Sequence, residues 1–338
     1  MIVEMRKGAA PDEVDGVVQR AKSLGFNVQL NLGSEKTVVA ILGSNTGQLS
    51  TDIFAVLPGV ETVARIMKPY KLASREFKAQ DTRVQVQGLE IGGNRVLVMA
   101  GPCAVESKEQ LMEAAWAVKE AGASILRGGA FKPRTSPFSF QGLGREGLEL
   151  LAQAREEVGL PIITEVMDTQ EVSLVAEYAD ILQIGARNMQ NFSLLNAVGK
   201  TRRPAMLKRG LSSTVTEWLT AADYLLSQGN NQVFLCERGI RTFEDTVRFS
   251  FDVGSIPVVR RNSHLPIAAD PSHAAGHYAL VPAIAKAAVA AGADALIIEV
   301  HPNPKVALSD GLQSLTPSDF TRLMKDLRAV AESVGRHI

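Results

Sequence analysis

The sequence predicts an α/β protein: a (β/α)8 TIM barrel preceded by a small α+β unit of ferredoxin-like, βαββαβ order. Three observations carry this. From Arg95 onward, eight short apolar runs alternate with helical stretches, the arithmetic of a barrel of about 250 residues. Residues 1–70 follow a different order of strand, helix, two strands, helix and strand. No Gly-rich dinucleotide turn follows the first strand of the larger part, which disfavours the rival doubly wound open sheet.

In the first part, Ile2–Met5 is a short apolar strand. Pro11-Asp12-Glu13 opens a helix through Val14, Val17, Val18, Ala21 and Leu24, and Gly25 ends it. Phe26–Leu32 and Thr37–Leu42 read as strands around the turn Gly33–Lys36. A shorter helix is expected over Gln48–Leu57, stopped by Pro58-Gly59, and a last strand over Val60–Met67. Residues 71–82 are polar without a clean period and read as a linker. The catalytic-sized part is then 83–338, and it begins with a small hairpin around Gly88. Its eight strands are expected at Val96–Ala100, Ser124–Arg127, Pro161–Thr164, Ile181–Ile184, Ala205–Lys208, Val233–Cys236, Pro266–Asp270 and Ala295–Glu299. They are near-continuous apolar runs, as parallel strands buried on both faces require.

Composition narrows the function. With 36 basic and 36 acidic residues the formal net charge is zero, so no overall field draws in nucleic acid. Two cysteines in 338 residues cannot build a disulfide framework. No apolar run approaches the roughly 18 residues of a membrane span, and the first residues carry no apolar signal stretch. A soluble, cytoplasmic protein is expected.

Every predicted barrel strand ends in polar or charged residues, and a barrel gathers these ends at the face where active sites form. Arg127, Lys132, Arg134, Arg187, Lys208, Arg209 and Arg238 would converge there. So many cations in one cavity repel one another unless anions fill it. Arginine forks match carboxylate and phosphate oxygens, and lysine adds a point charge. Several separate anionic groups are therefore implied, as in a phosphorylated carboxylate with a second phosphorylated molecule. Cys103, His273, Glu299 and Asp310 are a second set, of the residue types that hold a divalent metal of mixed softness. Only the barrel would bring them together. Taken singly, Cys103 also fits a small buried apolar position and His273 a loop hydrogen bond.

The stretches AGPCAVES (100–107), LRGGAFKPRTSPFSFQGLG (126–144), IGARNMQNF (184–192), LKRG (207–210), LCERGIRTF (235–243), HLPIAADPSHAAG (264–276) and IIEVHPNPKVALSDGLQSL (297–315) carry a resemblance. Together they resemble the 3-deoxy-D-arabino-heptulosonate 7-phosphate (DAHP) synthase family. Residues 1–70 resemble the ACT-like regulatory domain of one branch of it. The resemblance implies a transferase that condenses phosphoenolpyruvate with erythrose 4-phosphate and releases phosphate, opening the shikimate pathway. It implies one divalent metal ion (Mn, Fe, Co or Zn) on Cys103, His273, Glu299 and Asp310. It implies phosphoenolpyruvate contacts at Arg127, Lys132, Arg187, Lys208 and Arg238, and erythrose phosphate contacts at Arg134, Thr135 and Ser136. Lys132 is the expected proton donor and Glu165 a candidate for positioning water. Tyrosine or phenylalanine is the expected effector at the N-terminal domain, and a homotetramer the expected assembly.

Three alternatives stay open on sequence. The 3-deoxy-D-manno-octulosonate 8-phosphate synthases share the barrel, but carry a KANRTS pattern where this chain reads KPRTS at 132–136. A Schiff-base aldolase would use Lys208 or Lys132. A non-catalytic sensor would bind phosphorylated ligands only. His301 is either a support for the metal set or a loop hydrogen-bonding residue, and Cys236 is expected to pack in the core.

Overall fold

Buried apolar strands organise both parts of the chain. The computed structural model describes residues 1–32, 36–43, 45–46, 49–65, 68–133 and 136–338. It divides into two compact units, Met1–Gln80 with Asn262–His264, and Asp81–Arg261 with Leu265–Ile338.

In the first unit the order is β1 (Ile2–Met5), α1 (Pro11–Ser23), β2 (Asn27–Leu32), β3 (Thr37–Leu42), α2 (Asp52–Ala55) and β4 (Val60–Ala64). The sheet order is β2-β3-β1-β4, with Val3 opposite Val39 on one side and Val63 on the other. The pairs are antiparallel, so this is the predicted split βαβ unit. Helix α1 starts where Glu13 accepts the Ala10 amide at 2.9 Å, and it buries Val17 and Ala21. These pack in one core with Val3, Met5, Val39, Ile41 and Phe54. Helix α2 is shorter than the expected Gln48–Leu57. Ser50 Oγ accepts the Asp52 amide at 3.3 Å, a local bond that favours a turn over a further helical turn. Gln48, Ile66 and Met67 lie outside the described residues. Residues 71–80, linker-like in sequence, group with the first unit, and Leu72, Ala73 and Phe77 are buried. Their spacing follows neither structural period, so the pattern conceals them.

The second unit opens with a hairpin, β5 (Val84–Val86) and β6 (Leu89–Ile91). Its turn has positive φ at both central residues, 48° at Gln87 and 82° at Gly88, as tight hairpins favour. The barrel follows: β7 (Leu97–Gly101), β8 (Ile125–Arg127), β9 (Ile162–Val166), β10 (Ile181–Ile184), β11 (Ala205–Lys208), β12 (Val233–Glu237), β13 (Ile267–Ala269) and β14 (Ala295–Glu299). All eight are parallel, each beside its sequence neighbour, and β14 closes on β7. Inward residues such as Leu97, Met99, Ile181, Met206 and Phe234 form the core. Val84, Val86 and Ile91 of the hairpin join that cluster and so cover one end of the barrel. Burying each such side chain contributes about 1.5–3 kcal/mol. Among the described residues no helix is long and apolar enough to cross a membrane.

Candidate active site at the carboxyl ends of the barrel strands

Strand closure builds the first half of the site. Glu299, the last residue of β14, pairs with Gly101, the last of β7. That register sets Glu299 near Cys103, which lies two residues beyond β7. Asp310 comes from the loop after β14, with a left-handed backbone (φ 51°, ψ 33°) that Asp tolerates better than most residues. Ligand atoms of Cys103, Glu299 and Asp310 all lie within 4.8 Å of one another.

His273 reaches the same place from a five-residue helix, Pro271–Ala275. Asp270 caps that helix by accepting the His273 amide at 2.9 Å, and Pro271 occupies its first position. His273 Nε2 stands 3.6 Å from Glu299 Oε1, beside the close trio rather than within it. Its Nδ1 lies 2.7 Å from Asp270 Oδ2, but without the direction of a hydrogen bond. It and Arg127 Nε are buried polar atoms without a hydrogen-bond partner.

Burial, with Glu299 nearby, pushes the Cys103 thiol up to about 11. Burial works the same way on Glu299 and Asp310, yet both carboxyls are held low. His273 and Arg127 outweigh it at Glu299, and His273 and Arg248 at Asp310. A softer thiol, two ionised carboxylates and an adjacent imidazole form a donor set suited to a divalent transition metal.

Next to this set is a cavity of ≈ 470 Å³. Lys132, Arg187, Lys208 and Arg238 line it, together with Ser136, Glu165, His273 and Asp310. Lys132 Nζ is 3.0 Å from Cys103 Sγ and donates to Cys103 O at 3.0 Å. Burial opposes its charge, but the Cys103, Glu299 and Glu165 side chains more than offset this, and Lys132 is held above the usual lysine range. Lys208 Nζ contacts Asp270 Oδ2 at 2.5 Å. Glu165 accepts from Gln183 Nε2 at 3.0 Å. Gly185 leaves room for it, since a Cβ there would meet Glu165 Oε1 at 2.0 Å.

Two of the expected cations sit elsewhere. Arg127 is buried behind the wall, and its Nη1 donates to Glu299 Oε1 at 2.9 Å and Pro102 O at 3.0 Å. Arg209 is held by Glu237 and Asp252, both at 2.8 Å, and does not line the cavity. Arg134 and Thr135 lie outside the described residues. Sequence reasoning missed Arg241 and Arg248, which also line the cavity from the long loop after β12. Arg241 lies inside the stretch 235–243 quoted for the resemblance, whereas Arg248, isolated after Glu244 and Asp245, gives no local signal. His301 takes a supporting position: Nδ1 accepts the Asn303 amide at 3.0 Å, which leaves Nε2 facing Glu106 Oε2 at 3.4 Å. Glu106 in turn accepts the Leu308 amide at 2.8 Å, just before Asp310. Cys236 is buried in the barrel core, and both cysteines are free thiols.

Comparison with known proteins agrees with this geometry. Residues 75–334 match the model of the DAHP synthetase I family, and residues 1–68 that of the DAHP synthase ferredoxin-like domain. A phospho-2-dehydro-3-deoxyheptonate aldolase of Thermotoga maritima is 45% identical over 335 residues, covering 99% of each chain. A crystal structure of the Thermotoga maritima phospho-2-dehydro-3-deoxyheptonate aldolase (DAHP synthase) superposes with a TM-score of 0.79 at 45% identity, over 99% of this chain and 98% of that one. A 2-dehydro-3-deoxyphosphooctonate aldolase of Nitratidesulfovibrio vulgaris is 35% identical over 254 residues, 70% of this chain and 92% of its own. The chain therefore belongs to the DAHP synthetase I family of enzymes, with a DAHP synthase ferredoxin-like domain ahead of the barrel.

Proposed function

We propose that this chain condenses phosphoenolpyruvate with erythrose 4-phosphate to give 3-deoxy-D-arabino-heptulosonate 7-phosphate and phosphate. This is the opening step of the shikimate pathway. The observation that carries the reading is one cavity walled by Lys132, Arg187, Lys208 and Arg238 beside the Cys103, Glu299 and Asp310 trio. Two phosphates and a carboxylate supply the anions such a wall needs.

Cys103, His273, Glu299 and Asp310 would hold one divalent ion, of manganese, iron, cobalt or zinc; His273 Nε2, 3.6 Å from Glu299 Oε1, and the mixed donors fit this. When bound, such an ion supplies Lewis acidity toward a substrate carbonyl. Lys132, Arg187, Lys208 and Arg238 bind and orient phosphoenolpyruvate, and Arg127, expected among these contacts, holds Glu299 from behind the wall. Arg134, Thr135 and Ser136 take the sugar phosphate. Lys132, in its ammonium form, donates a proton to the aldehyde oxygen as the enol carbon bonds to the carbonyl carbon. Glu165 orients the water that adds to the second carbon of phosphoenolpyruvate and gives up one proton to solvent; the bond from that carbon to the phosphate oxygen then breaks, leaving the ketone and releasing phosphate. Much of the barrier reduction is positioning and fixed positive charge.

The octulosonate relatives support a second reading, in which arabinose 5-phosphate is the acceptor. The KPRTS run at 132–136 favours the four-carbon aldose. Phosphate release is measured with phosphoenolpyruvate and each aldose in turn. Faster turnover with erythrose 4-phosphate is expected; preference for arabinose 5-phosphate would reverse the assignment.

The N-terminal domain is proposed as a regulator for tyrosine or phenylalanine in a cytoplasmic homotetramer. A cavity of ≈ 400 Å³ within the first unit supports this: Glu4, Lys36 and Glu76 offer charges for a zwitterion, and Leu32, Val38 and Phe77 an apolar wall. Removal of residues 1–70 should abolish inhibition by either amino acid while phosphate release persists.

A further inference from the structure

Residues 238–254 link β12 to the helix Ser255–Asn262, and two adjacent residues there touch two carriers of the metal donors and reach a third through Gln313. The Phe249 amide donates to Ala274 O at 3.0 Å, on the short helix that bears His273. Arg248 Nη1 donates to Asp310 Oδ1 at 3.0 Å and to Gln313 Oε1 at 2.6 Å. Gln313, only 1% exposed, donates from Nε2 to Glu299 Oε2 at 2.6 Å. This amide orientation is the one that satisfies both neighbours, since a guanidinium only donates and a carboxylate only accepts. The Arg248 stem runs over Gly276, where a Cβ would come within 2.4 Å of Arg248 Cβ. On its other side Phe249 lies under the Arg238 guanidinium, 4.0 Å from the ring centre.

We propose that Arg248 is a positioning residue of the metal site, fixing the Asp310 carboxylate directly and the Glu299 carboxylate through Gln313. The proposal rests on the metal-dependent reading above. With Oδ1 engaged by Arg248, Asp310 presents Oδ2 toward Cys103 Sγ, 3.2 Å away. With Oε2 engaged by Gln313, Glu299 has Oε1 on the side of His273 and Arg127. Each carboxylate is thereby prevented from rotating, which is the role that partners beyond the ligands play in metal sites. The sign of the effect separates positioning from charge. A guanidinium stays cationic and repels a divalent cation, so if Arg248 acted only as a charge, its removal would tighten binding. If it holds the carboxylates, its removal loosens binding.

The test titrates the full chain, stripped with a chelator and dialysed, with Co²⁺ alone. The readouts are thiolate-to-cobalt absorption and competition with a chromophoric chelator. Arg248→Ala and Gln313→Ala are each expected to weaken Co²⁺ binding about 10–100-fold. The double variant should be little weaker than the worse single one, and Arg248→Lys should recover part of the loss. Gln313→Ala changes no charge, and it carries the test if Arg248→Ala loses its circular-dichroism signature of folding. Unchanged or tighter binding in Gln313→Ala, or in a folded Arg248→Ala, overturns the proposal. Absence of thiolate–cobalt absorption in the unsubstituted protein would overturn the metal reading, and the proposal with it.

Discussion

At the amino ends of the barrel strands, Asp180 and Asp294 are buried and fully engaged. Asp180 accepts from Gln87 Nε2 at 2.7 Å and the Ile162 amide at 2.8 Å. Asp294 meets Arg260 at 2.8 Å, Arg336 at 3.1 Å and the Ile267 amide at 2.9 Å. At the carboxyl ends, by contrast, cations crowd one cavity, and among the described residues Arg187 and Arg241 have no ion-pair partner. Arg127 Nε and His273 Nδ1 are buried there without hydrogen bonds. The same barrel thus carries one end where polar groups satisfy one another and another where ion pairs such as Lys208–Asp270 stand beside a cavity that the unpaired Arg187 and Arg241 line. The chain's zero net charge conceals this asymmetry.

Substitutions at the two ends should therefore fail in different ways. The largest effect is expected from Lys132→Ala, with kcat reduced about 10²–10⁴-fold while the thermal unfolding midpoint holds. Phosphate-release kinetics beside a melting curve check this, and a lowered unfolding midpoint with kcat unchanged would erase the contrast. Asp294→Ala should do the reverse. It leaves Arg336, 12% exposed in its side chain, without its carboxylate and should cost about 3–5 kcal/mol in denaturant unfolding, with turnover per folded molecule retained. The smallest effect is one of pH. The Cys103 thiol, pushed up to about 11 by burial and then Glu299, must lose its proton to bind a metal. Co²⁺ affinity should rise about tenfold per pH unit for one proton released, across neutral pH. Calorimetry in buffers of different ionisation heat measures that proton, and pH-independent affinity would remove Cys103 from the donor set.

The barrel strands are largely legible in the sequence, the polar network at their amino ends is not, and the carboxyl end is legible only in part. Parallel strands buried on both faces leave unbroken apolar runs, so β7–β14 were readable to within a residue or two at each end. Asp270-Pro271-Ser272-His273 carries a cap and a first-turn proline, local signals for the short helix. Residues 71–80 hid Leu72 and Phe77 because neither falls on a period. Arg209 shows the limit of charge reading: its sign is visible, but Glu237 and Asp252, which hold it away from the cavity, come together only in three dimensions. Arg241 and Arg248 escaped for the converse reason, lying in a loop without period whose course is set by contacts with Ala274, Asp310 and Gln313. The metal donors, scattered from 103 to 310, have no spacing signal; their residue types suggested the set, and the family resemblance strengthened it.

The reaction proposed for the carboxyl end of the barrel is a metal-dependent condensation of two phosphorylated substrates. The most direct measurement is phosphate release from phosphoenolpyruvate by the full chain, with and without erythrose 4-phosphate, after chelation and again after Co²⁺ is restored. Release is predicted only with both substrates and restored metal. Full release by the stripped protein, or release that does not need the aldose, would contradict the account.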